Sequence, residues 1–98
     1  MKKDLNFLDE LYNTIKKRAK SNNSLSYTKS LLKKGKKKIA QKIGEESAEL
    51  IVDYLSGSKK RTIEEASDLI YHLMVLLYSK NISLKEIKKE LKKRKNVR

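Results

Sequence analysis

Hydrophobic side chains recur every three or four residues along most of the chain, which is the spacing of amphipathic α-helices. The first such stripe covers residues 5–19 and consists of Leu5, Leu8, Leu11, Tyr12 and Ile15. Acidic residues lie near the start of this stretch and basic residues near its end, an order that matches the helix dipole. The pattern predicts a first helix over residues 5–19 with one buried face.

A short second helix is predicted over residues 27–34. The polar stretch SNNSLS at 21–26 is typical of a turn. Ser26 stands where an N-cap is expected, because its hydroxyl can accept a backbone N–H of the first turn. Gly35 follows the last helical residue, a position at which glycine commonly ends a helix.

Two long helices are predicted over about 36–56 and about 60–79. Gly57 can end the first of them, and so short a connection makes the two helices antiparallel neighbours. One arc of the first long helix is apolar and should belong to the core: Ile39, Ile43, Leu50, Ile51, Tyr54 and Leu55. Gly44 interrupts this helix at a cost of roughly 1 kcal/mol relative to alanine, so we expect either close packing or the approach of a ligand beside Glu45.

The second long helix is apolar almost all round, and such a helix has to be enclosed. A domain of this size, 98 residues, buries only a little over about 60% of its unfolded surface. We therefore expect a partner subunit to cover part of this helix.

A final helix is predicted to open with the capping box Ser83-x-x-Glu86. Its apolar positions follow helical spacing and should dock on the other helices: Leu84, Ile87 and Leu91. We therefore predict one all-α domain over 1–98, an antiparallel helical bundle completed by homodimerisation. Residues 1–4 and 95–98 are expected to be frayed.

Composition then limits the classes of protein. The formal net charge is +13, from 25 Lys and Arg against 12 Asp and Glu. Such an excess suits nucleic-acid binding, but the basic residues are spread along the chain and no aromatic residues alternate with them for base stacking. The N-terminus lacks the pattern of a secretion signal, and the longest apolar run, 69–78, is too short to span a bilayer. We expect a soluble cytoplasmic protein whose main partner is neither a membrane nor nucleic acid.

The acidic residues are concentrated in one part of this basic chain. Seven of them fall between positions 45 and 68: Glu45, Glu46, Glu49, Asp53, Glu64, Glu65 and Asp68. On helices, Glu45, Glu46 and Glu49 share one side, while Glu65 and Asp68 are neighbours at the head of an apolar run. Ionised carboxylates beside apolar residues cost several kcal/mol each unless they are paired or bind a metal.

Carboxylate oxygens suit Mg²⁺ or Mn²⁺, and a chain with no cysteine and one histidine has no ligands for a zinc cage. We therefore expect an Mg²⁺ or Mn²⁺ site. The alternative is a solvated face whose acids pair with nearby lysines. Lys38 and Lys42 lie on the acidic side of their helix and fit both interpretations equally.

Two further residues have competing interpretations. Thr62-x-x-Glu65 can form a capping box, which would occupy Glu65 unless the helix begins near Ser58. His72 follows Asp68 by one turn, and we expect an interior histidine bonded to Asp68 or a backbone carbonyl rather than a catalytic base.

The acidic pattern resembles a known family. Glu45-Glu46-x-x-Glu49, followed after fifteen residues by Glu65-x-x-Asp68, is similar to the EExxE…ExxD pattern of the all-α, MazG-like nucleoside triphosphate pyrophosphohydrolases. Within that superfamily the chain resembles the phosphoribosyl-ATP pyrophosphohydrolases of histidine biosynthesis over roughly residues 5–94. The segments that carry this likeness are SYTKSLLKKG (26–35), KIAQKIGEESAEL (38–50) and EEASDLIYHLMVLLYSKNISLKEIKKEL (64–91).

This resemblance implies Mg²⁺-dependent hydrolysis of phosphoribosyl-ATP at its α–β phosphoanhydride, which gives phosphoribosyl-AMP and pyrophosphate. The implied metal ligands are Glu45, Glu46, Glu49, Glu65 and Asp68, and Glu46 is also the candidate general base. The candidate substrate-binding residues are Lys38, Lys42, Tyr27, Arg61 and His72. Two alternatives remain: a related pyrophosphohydrolase acting on other nucleoside or deoxynucleoside triphosphates, and a non-enzymatic basic helical binding module.

Overall fold

The computed structural model describes residues 6–22 and 26–95. Within these ranges the chain forms five α-helices and no strand, which confirms the all-α class. The helices are α1 (Phe7–Ala19), α2 (Tyr27–Lys34), α3 (Lys36–Ser56), α4 (Lys59–Ser79) and α5 (Leu84–Arg94). Leu5, the predicted frayed N-terminus and residues 96–98 of the predicted frayed tail lie outside the described residues.

Local capping interactions end the helices close to the predicted positions. The Ser26 hydroxyl accepts the N–H of Lys29 at 3.3 Å and begins α2. Gly35 ends α2 with φ at 93°, a left-handed conformation that glycine adopts without a steric penalty. Both bonds of the capping box are present at the start of α5, where the Ser83 N–H donates to Glu86 Oε2 at 2.8 Å.

The start of α4 decides between the two interpretations of Glu65. Ser58 is the N-cap, and its hydroxyl accepts the N–H of Arg61 at 3.1 Å. Thr62 lies inside the helix, where its hydroxyl bonds the carbonyl oxygens of Ser58 at 2.9 Å and Asp53 at 3.2 Å. The competing capping box is therefore absent, and the Glu65 side chain is left for the site.

Helices α3 and α4 make the most extensive helix–helix contact among the described residues. Only Gly57 and Ser58 separate them, so they run antiparallel, as predicted. Helices α1 and α2 pack against this pair, and the core lies between them. The buried hydrophobic residues are Ile15, Leu31, Ile39, Met74, Val75, Leu77 and Leu84. The Tyr12 hydroxyl donates to the carbonyl of Ile82 at 2.7 Å and thereby ties α1 to the start of α5.

Part of the predicted core of α3 is wrong for the single chain. Ile39 is buried and Ile43 and Leu50 are half-buried, but Tyr54 and Leu55 are 75% and 76% exposed. The other large exposed apolar residues of α3 and α4 are Ile51, Val52, Ile63, Ile70 and Leu73. The short helices α1 and α2 cover only one side of the α3–α4 pair, so a face that periodicity marks as apolar is left open.

Two smaller expectations are also overturned. Leu91 is exposed, while Leu84 and Ile87 of the same helix pack as predicted. At Gly44 an added Cβ would meet no atom of the described residues within 4 Å, so close packing does not explain that glycine; the approach of a ligand there stays a prediction. None of the described helices combines the length and apolar character needed to span a bilayer.

Candidate active site

Three carboxylates from α3 and α4 converge. Glu46 and Glu49 lie one turn apart on α3, and Glu65 faces them from α4; one oxygen of each lies within 4.8 Å of the others. Glu46 is 7% exposed and Glu65 is 6% exposed, while Glu49 is exposed. We call these three residues the carboxylate cluster.

Glu65 is the least satisfied member of the carboxylate cluster. Its Oε2 atom is buried and has no hydrogen-bond partner among the described residues. The neighbouring Glu49 carboxyl, with which a protonated Glu65 can hydrogen-bond, raises the pKa of Glu65 to about 7, together with burial and the charges of Glu49 and Glu46. Ionised carboxylates this close repel one another, so a proton or a cation stabilises the cluster. Closely spaced oxygen donors with one unpartnered buried oxygen fit Mg²⁺ or Mn²⁺.

The other two expected ligands lie outside the carboxylate cluster. Glu45 is exposed, accepts a bond from the Gln41 amide at 2.9 Å, and has its pKa lowered by that bond and by the charges of Lys42 and Lys38. Asp68 also has an exposed side chain. A turn of about 100° per residue directs Glu45 away from α4 when Glu46 faces it, so neighbouring glutamates have different environments.

A lysine flanks the carboxylate cluster on the α3 side. Lys42 Nζ lies 3.5 Å from Glu45 and 3.4 Å from Glu46. Lys38, one turn earlier, is close enough to Glu45 to contribute to its lowered pKa. Lys42 therefore bridges an exposed carboxylate and a buried one, while Lys38 acts on Glu45 only through its charge.

Arg61 flanks the cluster on the opposite side. Its guanidinium lies 3.5 Å from Glu65, 3.7 Å from Glu64 and 3.9 Å from Asp53. A cavity of about 310 Å³ opens beside it, lined by Ala48, Glu49, Val52, Asp53 and Arg61. We call this space the Arg61 cavity. Because α3 and α4 are antiparallel, Lys42 and Arg61, each one turn before a buried glutamate, lie at opposite ends of the cluster.

The predicted interior histidine is confirmed. His72 is buried, and its Nδ1 lies 2.8 Å from the carbonyl oxygen of Asp68. Since a carbonyl only accepts, Nδ1 carries the proton, and in the neutral ring Nε2 accepts the Tyr27 hydroxyl at 2.8 Å. Of the two partners expected for this histidine, Asp68 or a backbone carbonyl, the bond goes to the carbonyl.

Tyr27 belongs to an aromatic group that joins α2 to α4. Its ring centroid lies 6.1 Å from that of Tyr71 and 5.8 Å from that of His72. The buried Thr28 hydroxyl bonds the Tyr71 hydroxyl, which holds the start of α2 against α4. Sequence reasoning missed Thr28, Gln41 and the Asp53–Arg61 pair; only Gln41, four residues before Glu45, leaves a local signal.

The second cavity lies away from these groups. It has a volume of about 280 Å³ and lies between the start of α3 and the end of α4, lined by Lys36, Ile39, Ala40, Leu76, Ser79 and Lys80. It contains no carboxylate, so the chemistry is concentrated at the carboxylate cluster.

Comparison with known proteins agrees with this arrangement. A family described as phosphoribosyl-ATP pyrophosphohydrolase matches residues 8–95. The chain is 47% identical over 89 residues to a phosphoribosyl-ATP pyrophosphatase of Sulfolobus acidocaldarius, covering 91% of this chain and 94% of that protein. It is 41% identical over 92 residues to a phosphoribosyl-ATP pyrophosphatase of Clostridium novyi, covering 94% of this chain and 84% of that protein.

A longer relative is also similar. The chain is 47% identical over 91 residues to the histidine biosynthesis bifunctional protein HisIE of Buchnera aphidicola, covering 93% of this chain and 44% of that protein. The matched region contains the α3–α4 pair that carries the carboxylate cluster.

Proposed function

Because the chain belongs to the phosphoribosyl-ATP pyrophosphohydrolase family, we propose that it hydrolyses phosphoribosyl-ATP to phosphoribosyl-AMP and pyrophosphate in histidine biosynthesis. Water adds across the α–β phosphoanhydride: one phosphorus–oxygen bond to the bridging oxygen breaks, the water oxygen takes its place on that phosphorus, and the products separate as phosphoribosyl-AMP and pyrophosphate. The convergence of Glu46, Glu49 and Glu65 within 4.8 Å is the observation that carries this proposal.

These three carboxylates would hold Mg²⁺ or Mn²⁺. The unpartnered Oε2 of Glu65 and the all-oxygen donor set support this assignment. When bound, the ion supplies charge neutralisation at the phosphates and makes water more acidic. A role for Glu45 and Asp68 as ligands stays a prediction, since both side chains are exposed outside the carboxylate cluster.

The chain's own groups would position the reactants and move the proton. Glu46 would accept the proton of the attacking water, because it lies in the cluster and its charge is held beside Lys42 at 3.4 Å. Lys42, Lys38 and Arg61 would stabilise phosphate charge from the two ends of the cluster. Tyr27, fixed by His72, would contact the nucleoside part of the substrate.

We also propose that two copies of the chain pair through the open apolar face of α3 and α4. Its exposed residues are Ile51, Tyr54, Leu55, Ile63, Ile70 and Leu73. A contiguous exposed apolar surface is typical of a protein–protein interface, and it leaves α4 unenclosed in the single chain. We also propose a cytoplasmic location, on the basis of the proposed biosynthetic role.

Pyrophosphate release from phosphoribosyl-ATP tests the function directly. We expect release in Mg²⁺ and its loss in excess chelator, with phosphoribosyl-AMP formed in equal amount. Parallel assays with ATP and deoxynucleoside triphosphates separate this function from that of a more general pyrophosphohydrolase, which would prefer those substrates. A non-enzymatic binding module would release no pyrophosphate from any of them.

A further inference from the structure

The two ends of the candidate active site carry different chemical groups. Arg61, Glu65, Asp68 and His72 are spaced by four, three and four residues, so they share one face of α4 over about 16 Å at 1.5 Å per residue. Arg61 and its cavity lie at one end of this face. The Tyr27–His72 pair lies at the other end, and the carboxylate cluster lies between them.

Resting on the proposed function, we propose that the Arg61 cavity is the subsite for the pyrophosphate leaving group and that Tyr27 marks the nucleoside subsite. The scissile bond joins the α-phosphorus to the leaving group, and the α-phosphate is attached to the nucleoside. With that bond at the carboxylate cluster, the two halves of the substrate must extend in opposite directions.

The contacts of Arg61 support an anion subsite. Its distances to Asp53, Glu64 and Glu65, 3.5–3.9 Å, all exceed the 2.7–2.9 Å or so of a charge-assisted hydrogen bond. The side chain is 59% exposed. Among the described residues the guanidinium makes one long hydrogen bond, from Nη2 to Glu65 Oε1 at 3.5 Å, and its remaining donors can make a bidentate contact with phosphate oxygens.

The size and charge of the Arg61 cavity suit a pyrophosphate that carries a divalent cation. Its volume of about 310 Å³ equals that of about ten water molecules at about 30 Å³ each, enough for the nine non-hydrogen atoms of pyrophosphate. Two of its lining residues, Glu49 and Asp53, are acidic. Magnesium is commonly bound jointly by one or two carboxylates and substrate phosphates, so these acids favour the metal complex of the anion.

The Tyr27 end of the site suits the binding of a purine ring. Tyr27 is 51% exposed, yet its hydroxyl is fixed by His72 and its ring is backed by Tyr71. An exposed, immobilised aromatic ring is a stacking surface for a purine. The Arg61 cavity is lined by no aromatic residue, so it lacks such a surface.

Isothermal titration calorimetry in Mg²⁺ tests which end of the site binds which half of the substrate, because the two product halves can be measured separately. The probes are pyrophosphate and AMP. We expect Arg61→Gln to weaken pyrophosphate binding about tenfold or more and to leave AMP binding unchanged. We expect Tyr27→Leu to weaken AMP binding and to leave pyrophosphate binding unchanged.

Lys60→Gln, which removes the neighbouring exposed charge, is the matched control and should change the binding of neither probe. Circular dichroism establishes that each variant is folded.

The assignment of the two subsites is overturned if Arg61→Gln leaves pyrophosphate binding intact or weakens the binding of both probes equally. It is also overturned if Lys60→Gln has the same effect on pyrophosphate binding as Arg61→Gln. Failure of the proposed function is a different result: wild-type protein would release no pyrophosphate from phosphoribosyl-ATP. The binding ratios do not require turnover, so the two failures are distinguishable.

Discussion

Glu49 and Glu65 belong to consecutive antiparallel helices, and one carboxylate oxygen of each lies within 4.8 Å of the other. The nearby Glu49 carboxyl is the largest cause of the raised pKa of Glu65, which is about 7. Two acids in this arrangement repel each other when both are ionised, so the protein without metal should favour a protonated site and a divalent cation should replace the proton.

Stability of the metal-free protein should fall as the pH rises from about 4.5 to 7. The pKa of Glu65 is about 7 in the folded chain against an ordinary value of 4.5, so the folded state binds more protons than the unfolded state across this range. The free energy of unfolding therefore decreases with increasing pH there. Urea unfolding in chelator at several pH values measures this slope.

Glu65→Gln should flatten that slope, because the amide does not titrate. Glu64→Gln, which removes the adjacent and more exposed carboxylate, is the matched control and should retain it. An unchanged slope in Glu65→Gln would show that another group is responsible.

Magnesium should stabilise the wild-type protein through the carboxylate cluster. A ligand at 100 times its Kd that binds only the folded state adds about 2.7 kcal/mol to the free energy of unfolding. Thermal unfolding with and without Mg²⁺ should show this increase for wild type and lose it for Glu49→Gln. Glu90→Gln on α5, outside the cluster, should respond as wild type does, and a full response in Glu49→Gln would contradict the proposed site.

Lys42 should contribute to turnover through its charge. Its ammonium lies 3.4 Å from Glu46, at the end of the cluster opposite Arg61. We expect Lys42→Gln to lower kcat/KM about tenfold to a hundredfold, the range for loss of a charged hydrogen bond of about 1.5–3 kcal/mol. Lys37→Gln changes an exposed lysine in the first turn of α3 and should have little effect; equal losses in both variants would indicate a general effect of net charge.

The open face of α3 and α4 should hold a dimer together. Leu55 is 76% exposed in the single chain, and Leu55→Glu would place a charge in the proposed apolar interface, where an unpaired charge is costly. Light scattering coupled to size exclusion should report a dimer for wild type and a monomer for Leu55→Glu. Leu91→Glu, at an exposed leucine of α5, should stay dimeric. A wild-type monomer at micromolar concentration would contradict the proposal.

The helix ends and the helical class follow from the sequence because their causes are local. Ser26, Gly35, Ser58 and the Ser83–Glu86 box each act on backbone groups within a few residues, and such interactions can be recognised without knowing what the helix packs against. The choice between Ser58 and Thr62 as the start of α4 was the one local question left open, and the observed Ser58 cap settles it.

The candidate site was predictable only in part. Periodicity put Glu45, Glu46 and Glu49 on one side of a helix, but it did not separate Glu46 from Glu45, because that separation depends on which side of α3 meets α4. The contact between Asp53 and Arg61 likewise joins two helices and leaves no spacing signal in the chain.

The positions of the helices, their apolar faces and the acidic stretches can be read from the chain, since each of these depends on neighbours within a few turns. The convergence of Glu46, Glu49 and Glu65 without Glu45 and Asp68, and the exposure of Tyr54 and Leu55, depend on how the helices pack. A helix presents all its faces equally, and the packing of another helix against one of them determines which side chains lose water and come together.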